Sequence, residues 1–97
     1  MTSTPLRFHA NPDALATRVG EEIVLVHLTT DRIYVLNRTG ARIWNLMTEG
    51  CDREGMRLRM LAEFEVVETD LDRQLDDILV TLEREQLIAT SSTGDRP

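Results

Sequence analysis

The chain has 97 residues, 41% of them hydrophobic, and a formal net charge of −6 at pH 7, which is typical of one globular domain. The negative charge argues against a nucleic-acid partner and against an anionic membrane surface, because both require a positively charged face. Cys51 is the single cysteine, so an internal disulfide is excluded. Because the N-terminus has no signal-peptide pattern and no apolar run is long enough to span a bilayer, we expect a cytoplasmic protein.

The N-terminal third predicts an arm followed by a small sheet. Residues 1–12 are polar and contain two prolines, so we expect a flexible arm before a domain that spans residues 13–90. Residues 15–19 can form a first short strand, and residues 22–28 and 32–36 form two more. The last two strands are close enough in the sequence to pair as a hairpin.

Both faces of this hairpin are apolar. In its second arm, Ile33 and Val35 lie on one side, and Tyr34 and Leu36 lie on the other. An antiparallel sheet with one solvated face would alternate apolar and polar residues instead. We therefore expect helices to cover one face and something else to cover part of the other.

Two amphipathic helices are predicted directly after the hairpin. The first begins near Asn37 or Thr39, either of which can cap it, and ends at Gly50. Asp52 can cap the second helix, which is followed by a connector at residues 65–68.

The third helix has the clearest periodicity. It begins at Thr69 or Asp70, and its acidic first turn suits the helix dipole. Its apolar residues follow helical spacing: Leu71, Leu75, Ile78, Leu79 and Leu82. Leu87 and Ile88 either add a short final strand or pack under the helices, and residues 91–97 are predicted to be a disordered tail. The fold class is thus α+β, with an N-terminal three-stranded antiparallel sheet followed by a three-helix bundle.

The chain carries no recognisable catalytic or metal-binding motif. His9 and His27 have no Cys, Asp or Glu at ligand spacing, so we expect His27 to be a surface residue of its strand. Cys51 has no Cys-x-x-Cys partner, and a glycine-rich phosphate loop is absent. The acidic residues of the third helix are interleaved with its leucines, which places them on its polar flanks. We therefore predict a protein that is not an enzyme and needs no cofactor.

The segment from Val19 to Ile88 resembles the PqqD-like family, the recognition elements for ribosomally made, modified (RiPP) precursor peptides. The resemblance is carried by the order and spacing of a hairpin leading to Leu36-Asn37, then Thr39-Gly40-Ala41, Ile43-Trp44, Gly50, the stretch from Leu61 to Phe64, the stretch from Leu71 to Leu82, and Leu87-Ile88.

This resemblance implies a fold and a way of binding. Members of the family are not enzymes, and their three-stranded sheet packs on three helices in a winged-helix-like arrangement. The leader segment of a precursor peptide adds as another strand to the edge of the third strand, opposite the third helix. A free strand edge offers unpaired N–H and C=O groups that an extended peptide can satisfy, and here that strand is residues 32–36.

The predicted peptide site therefore combines this strand with the third helix. The strand residues predicted to contact the peptide are Arg32, Ile33, Tyr34, Val35 and Leu36. The helix residues predicted to contact it are Leu75, Ile78 and Leu79 in an apolar pocket, and Arg73, Asp76 and Asp77 at its rim. Leu71 and Leu82 are assigned to the core.

Two branches of the family remain open as partners. Proteins of quinone-cofactor (PQQ) synthesis deliver their peptide to a radical SAM enzyme, whereas lasso-peptide proteins present the leader to a leader protease and a cyclase. The segment His27-Leu28-Thr29-Thr30-Asp31 lacks the proline that is frequent in the quinone branch, which favours the lasso type. Gln86 stands where the family commonly has glycine.

Two functions from other classes are the alternatives. A winged-helix DNA-binding regulator would need basic residues on its recognition helix, but Arg73 and Arg84 are outnumbered there by acidic residues. A small enzyme that used Cys51 would lose its activity in a Cys51→Ala variant.

Overall fold

The computed structural model describes the backbone of residues 6–92 and the side chains of residues 8–90. Within this range the elements follow in the order β1 (Leu6–Ala10), β2 (Ala14–Val19), β3 (Glu22–His27), β4 (Ile33–Leu36), α1 (Arg38–Thr48), α2 (Arg53–Glu63), α3 (Glu68–Arg84) and β5 (Ile88–Ser92). The predicted α+β class, with a three-stranded sheet preceding three helices, is confirmed. No helix of residues 6–92 combines the length and the apolar character needed to cross a membrane.

The larger sheet is antiparallel, with β3 between β2 and β4. In its register, Leu25 lies opposite Ala16 on one side and opposite Tyr34 on the other. Gly20, at φ +63°, provides the left-handed conformation that the tight turn between β2 and β3 requires. In the described part of the chain β4 pairs with β3 alone, which makes it an edge strand.

A second sheet joins the two ends of the described chain. β1 pairs antiparallel with β5, with Leu6 opposite Ser92 and Ala10 opposite Ile88. The structure therefore corrects the expectation of a loose arm for residues 6–10 and of a tail for residues 91–92. The two prolines of the arm flank this strand rather than interrupt it, and apolar side chains from β1 pack against the core. Residues 1–5 and 93–97 of the predicted arm and tail lie outside the described residues.

The beginnings of the helices follow capping chemistry. Asn37, rather than Thr39, caps α1, because its side chain accepts the N–H of Gly40 at 3.0 Å. Asp52 caps α2 as predicted. α3 begins at Glu68, slightly earlier than predicted and without a side-chain cap, and the acidic groups of its first turn favour its N-terminus through the helix dipole.

α1 and α3 end in the same way. Gly50, at φ +101°, follows α1, and the N–H of Cys51 donates to the carbonyl of Leu46 at 3.0 Å. Gln86, at φ +63°, takes the corresponding place after α3. Both are Schellman ends, in which a residue in the left-handed conformation lets the chain satisfy the last helical carbonyls.

The core lies between the helices and the inner face of the larger sheet. Its buried apolar residues are Ile23, Leu25, Ala41, Ile43, Trp44, Leu46, Met47, Met56, Met60, Leu71, Leu75, Leu79, Leu82, Leu87 and Ile88. Helices thus cover one face of the sheet, as expected. The other face bears Ile33 and Val35, which are 65% and 60% exposed, so the expected cover on that side is not found in the described chain.

The structure also corrects the expectation of a surface position for His27, which is only 3% exposed. Because His27 is two residues after Leu25, the alternation of the strand points its side chain to the inner face. Its Nδ1 accepts the N–H groups of Thr29 at 3.2 Å and Thr30 at 3.3 Å. The imidazole therefore ties down the turn that leads into β4.

Candidate functional site

The site begins with the free edge of β4. The N–H of His27 donates to the carbonyl of Arg32 at 2.9 Å, and hydrogen bonding alternates along an antiparallel pair. The backbone groups of Tyr34 therefore point towards β3, whereas those of Ile33 and Val35 point towards the free edge. These two residues offer the N–H and C=O groups that an added strand would use.

A groove of about 230 Å³ runs between this edge and α3. Its lining residues are Tyr34, Val35 and Leu36 from β4 and Asp77, Ile78, Thr81 and Leu82 from α3. Most of these side chains are apolar, so the centre of the groove suits an apolar side chain.

A second, more polar concavity of about 300 Å³ continues from the groove past the end of β4. It is lined by Asn37, Thr39 and Gln74, together with Asp77 and Ile78. Because the last two residues line both spaces, the groove and the polar concavity meet at this point of α3.

The opposite end of the groove carries a charged pair. Nε of Arg32 lies 3.7 Å from Oε1 of Glu85, and the Arg32 guanidinium lies 5.8 Å from the centroid of the Tyr34 ring. A hydrogen-bonding contact with Glu85, helped by desolvation, raises the pKa of Tyr34, and the positive charge of Arg32 opposes this. That contact falls short of standard hydrogen-bond geometry, and the buried Tyr34 hydroxyl has no partner of standard geometry in the described chain.

The structure brings five of the predicted site residues together along the groove: Tyr34, Val35, Leu36, Asp77 and Ile78. Arg32 lies at the end of the groove that carries the charged pair, beside Glu85. Ile33 contributes its backbone to the free edge, and its side chain is exposed on the outer face of the sheet.

Four predicted helix residues lie elsewhere. Leu75 is 0% exposed and Leu79 is 5% exposed, so both belong to the core rather than to an open pocket. Asp76 accepts from Nε of Arg53 at 2.8 Å, which directs it towards α2. Arg73 is absent from the lining of the groove, and it donates to a carboxylate on its own helix. The helical repeat turns Arg73 and Asp76 away from Ile78. Leu75 and Leu79 instead lie deeper, towards the core.

Sequence reasoning missed several polar residues of the groove wall. Gln74, Thr81 and Glu85 lie at helical spacing from Asp77 and Ile78, so they share one face of α3. This spacing was a usable signal. The polar residues predicted for the rim were Arg73, Asp76 and Asp77 instead, and only Asp77 lies on this face.

Another concavity of about 230 Å³ lies against α1 and includes Ile23 in its lining. Four of the five charged side chains in its lining are paired with one another, and within the described chain Arg18 donates only to the carbonyl of Gly20, at 3.4 Å. Arg42 binds Glu63 through two hydrogen bonds of 2.8 and 2.7 Å, and Nε of Arg38 lies 3.2 Å from Glu21. This concavity lacks the free strand edge and the mostly apolar lining of the β4–α3 groove, which is therefore the better candidate site. No group of three or more potential metal ligands occurs among the described residues.

Comparison with known proteins gives two similar solved structures. The first, "TbiB1 in Complex with the TbiA(beta) Leader Peptide", is 28% identical and has a TM-score of 0.76; the match covers 91% of this chain and 98% of that chain. The second, "Lasso peptide synthetase B1 complexed with the leader peptide", is 20% identical, has a TM-score of 0.78 and covers 86% of this chain and 98% of that chain. At this lower identity the second match shows the fold alone. No curated protein matches the chain.

The family comparison covers the elements that form the groove. The family model for Coenzyme PQQ synthesis protein D (PqqD) matches residues 22–88, from the first residue of β3 to the first residue of β5. This match takes in both walls of the groove and well over half of the chain. The protein therefore belongs to the PqqD family.

Proposed function

We propose that this protein recognises the leader segment of a ribosomally made precursor peptide and hands it to separate lasso-peptide processing enzymes. The observation that carries the proposal is the free edge of β4 beside an apolar groove whose far wall is α3. The similar solved structures support it, because each is a complex with a leader peptide, and the second contains a lasso peptide synthetase B1.

The main chain of the peptide would supply much of the affinity. An extended leader that pairs with Ile33 and Val35 turns β4 into an internal strand and satisfies its outward N–H and C=O groups. This mode requires little rearrangement, because β3 already holds β4 in an extended conformation.

The side chains of the peptide would supply specificity. Successive side chains of a strand point to opposite faces. One set enters the groove beside Tyr34, Leu36 and Ile78, and the other set lies on the outer face beside Ile33 and Val35. A leader with apolar residues in both sets fits this arrangement.

We propose a non-catalytic role in the cytoplasm, on a fold of winged-helix-like type. The protein would raise the effective concentration of the precursor at its enzymes without altering a bond. A leader protease, and a cyclase with it, are the expected partners. The PqqD family match keeps a second candidate, a peptide chaperone that serves a radical SAM enzyme of quinone-cofactor synthesis.

The test is a titration of the purified protein with the leader peptide of the precursor encoded beside its gene, and with a scrambled peptide of the same composition. A Val35→Pro variant removes an N–H that points to the free edge and leaves the bonds of Tyr34 to β3 in place. We expect this variant to bind the leader at least about tenfold more weakly than the wild type, because it loses strand pairing.

The matched control is Ala16→Pro on β2, the opposite edge of the same sheet. By the same alternation, Ala16 directs its N–H away from β3, so the fold should tolerate proline there equally well. Circular dichroism checks that both variants are folded. The proposal is rejected if the scrambled peptide binds as well as the leader, or if both proline variants bind as tightly as the wild type.

A further inference from the structure

One carboxylate in the groove has no partner among the described residues. Asp77 lines the groove, and no hydrogen bond or ion pair joins it to another described side chain. Its neighbours on α3 are engaged, since Asp76 accepts from Arg53 at 2.8 Å and Arg73 donates to Asp70 at 2.9 Å. Asp77 is therefore free to take a partner from outside the chain.

The charges along the groove differ between its two ends. At the end near Arg32, the negative charge of Glu85 is compensated by the positive charge of Arg32. At the other end, Asp77 meets a concavity whose other lining residues include Asn37 and Gln74 but no cationic side chain. An occupant of the whole groove thus meets a neutral pair, an apolar centre and an uncompensated negative charge.

The spacing along α3 matches the repeat of a strand. Asp77 lies four residues before Thr81, which is about 6 Å along the helix axis. Side chains on one face of an extended strand repeat every two residues, or about 6.8 Å. In a peptide strand that runs along α3, a residue that enters the groove beside Thr81 therefore has the residue two positions away beside Asp77.

We propose that Asp77 selects a lysine or arginine of the bound peptide, two residues away from the apolar residue that occupies the groove. The inference rests on the proposed function, and it adds a chemical requirement on the leader sequence. The aliphatic stem of the basic side chain would lie along Ile78, and its charged head would donate to the carboxylate at the edge of solvent.

The test is a double-mutant cycle between the protein and synthetic leader peptides. The peptides are the natural leader of the precursor encoded beside the gene and variants in which each lysine or arginine is singly replaced by glutamine. The proteins are the wild type, Asp77→Asn and the control Glu65→Gln, which removes an equal charge from the exposed connector before α3.

We expect one glutamine peptide to bind the wild type about threefold to tenfold more weakly than the natural leader. Asp77→Asn should show a similar loss with the natural leader and no further loss with that one peptide. The effect should shrink as salt rises, because this pair is open to solvent. Glu65→Gln should bind every peptide as the wild type does.

Three results would overturn this inference while leaving the proposed function standing. The first is that Asp77→Asn binds the natural leader as tightly as the wild type. The second is that its loss of affinity is independent of the loss caused by every glutamine peptide. The third is that it binds the peptides as Glu65→Gln does. A natural leader without any lysine or arginine would overturn it as well. Failure of the wild type to distinguish the leader from the scrambled peptide rejects the proposed function instead.

Discussion

Arg32 and Glu85 join the two walls of the groove at one end, with Nε of the arginine 3.7 Å from Oε1 of the glutamate. Arg32 immediately precedes β4 and Glu85 immediately follows α3, so the pair marks the place where the two elements converge. The Arg32 side chain is 63% exposed, and a pair this open to solvent contributes little to stability. Its two members act in opposite directions on the pKa of Tyr34.

The opposing effects of this pair on Tyr34 can be measured directly. Tyr34 is the only tyrosine, so the absorbance of phenolate during an alkaline titration reports this residue alone. Glu85 favours the neutral phenol, so Glu85→Gln should lower the pKa of Tyr34. Arg32 favours the phenolate, so Arg32→Gln should raise it. Shifts of the same sign in both variants would show that Tyr34 does not lie between these charges.

Alanine variants of two apolar residues of α3 should differ in their effects on stability and on leader binding. Leu75 is 0% exposed in the core, so Leu75→Ala should lower the free energy of unfolding by about 2–5 kcal/mol. Ile78 is half-buried at the groove, so Ile78→Ala should lower it less and should weaken binding of the leader peptide. Urea denaturation and peptide titration of both variants provide the comparison. Equal losses of stability, with leader affinity unchanged in Ile78→Ala, would remove Ile78 from the site.

The two Schellman ends give a reciprocal prediction about the backbone. Gln86 has φ +63°, a conformation that costs a non-glycine residue free energy, so Gln86→Gly should raise the free energy of unfolding by about 0.5–1 kcal/mol. Gly50→Gln should lower it by a similar or larger amount. A Cβ at Gly50 meets no atom within 4 Å, so the loss comes from the left-handed backbone rather than from a clash of the Cβ. Denaturant midpoints measure both, and a destabilised Gln86→Gly would mean that the Gln86 side chain has an unseen contact.

Local sequence patterns predicted most of the helical half and the hairpin. The cap at Asn37 and the glycine end at Gly50 are decided by neighbouring residues, so they were readable. The apolar period of α3 assigned Leu71 and Leu82 to the core, and both are buried. The pairing of β1 with β5 could not be predicted from local sequence, because it depends on contact between opposite ends of the described chain.

The site was harder to predict, because a difference of one position along a helix or strand changes the direction in which a side chain points. Asp76 and Asp77 are adjacent, yet the first reaches Arg53 on α2 and the second lines the groove. His27 was misplaced because its polarity outweighed its alternation with Leu25, which pointed to the interior. The exact face of a helix that a groove uses depends on how the helix packs, and packing is not encoded locally.

The pairing of β1 with β5 also bears on the order in which the chain folds. The entropic cost of closing a loop grows with its length, and contacts between distant positions form late. The hairpin of β3 and β4 and the three helices involve shorter separations, so they can assemble before β1 arrives. A strand pair that closes last is also the natural place for local unfolding to begin. The terminal ribbon can therefore fray while β4 and α3, which it does not include, keep their groove in place for a peptide.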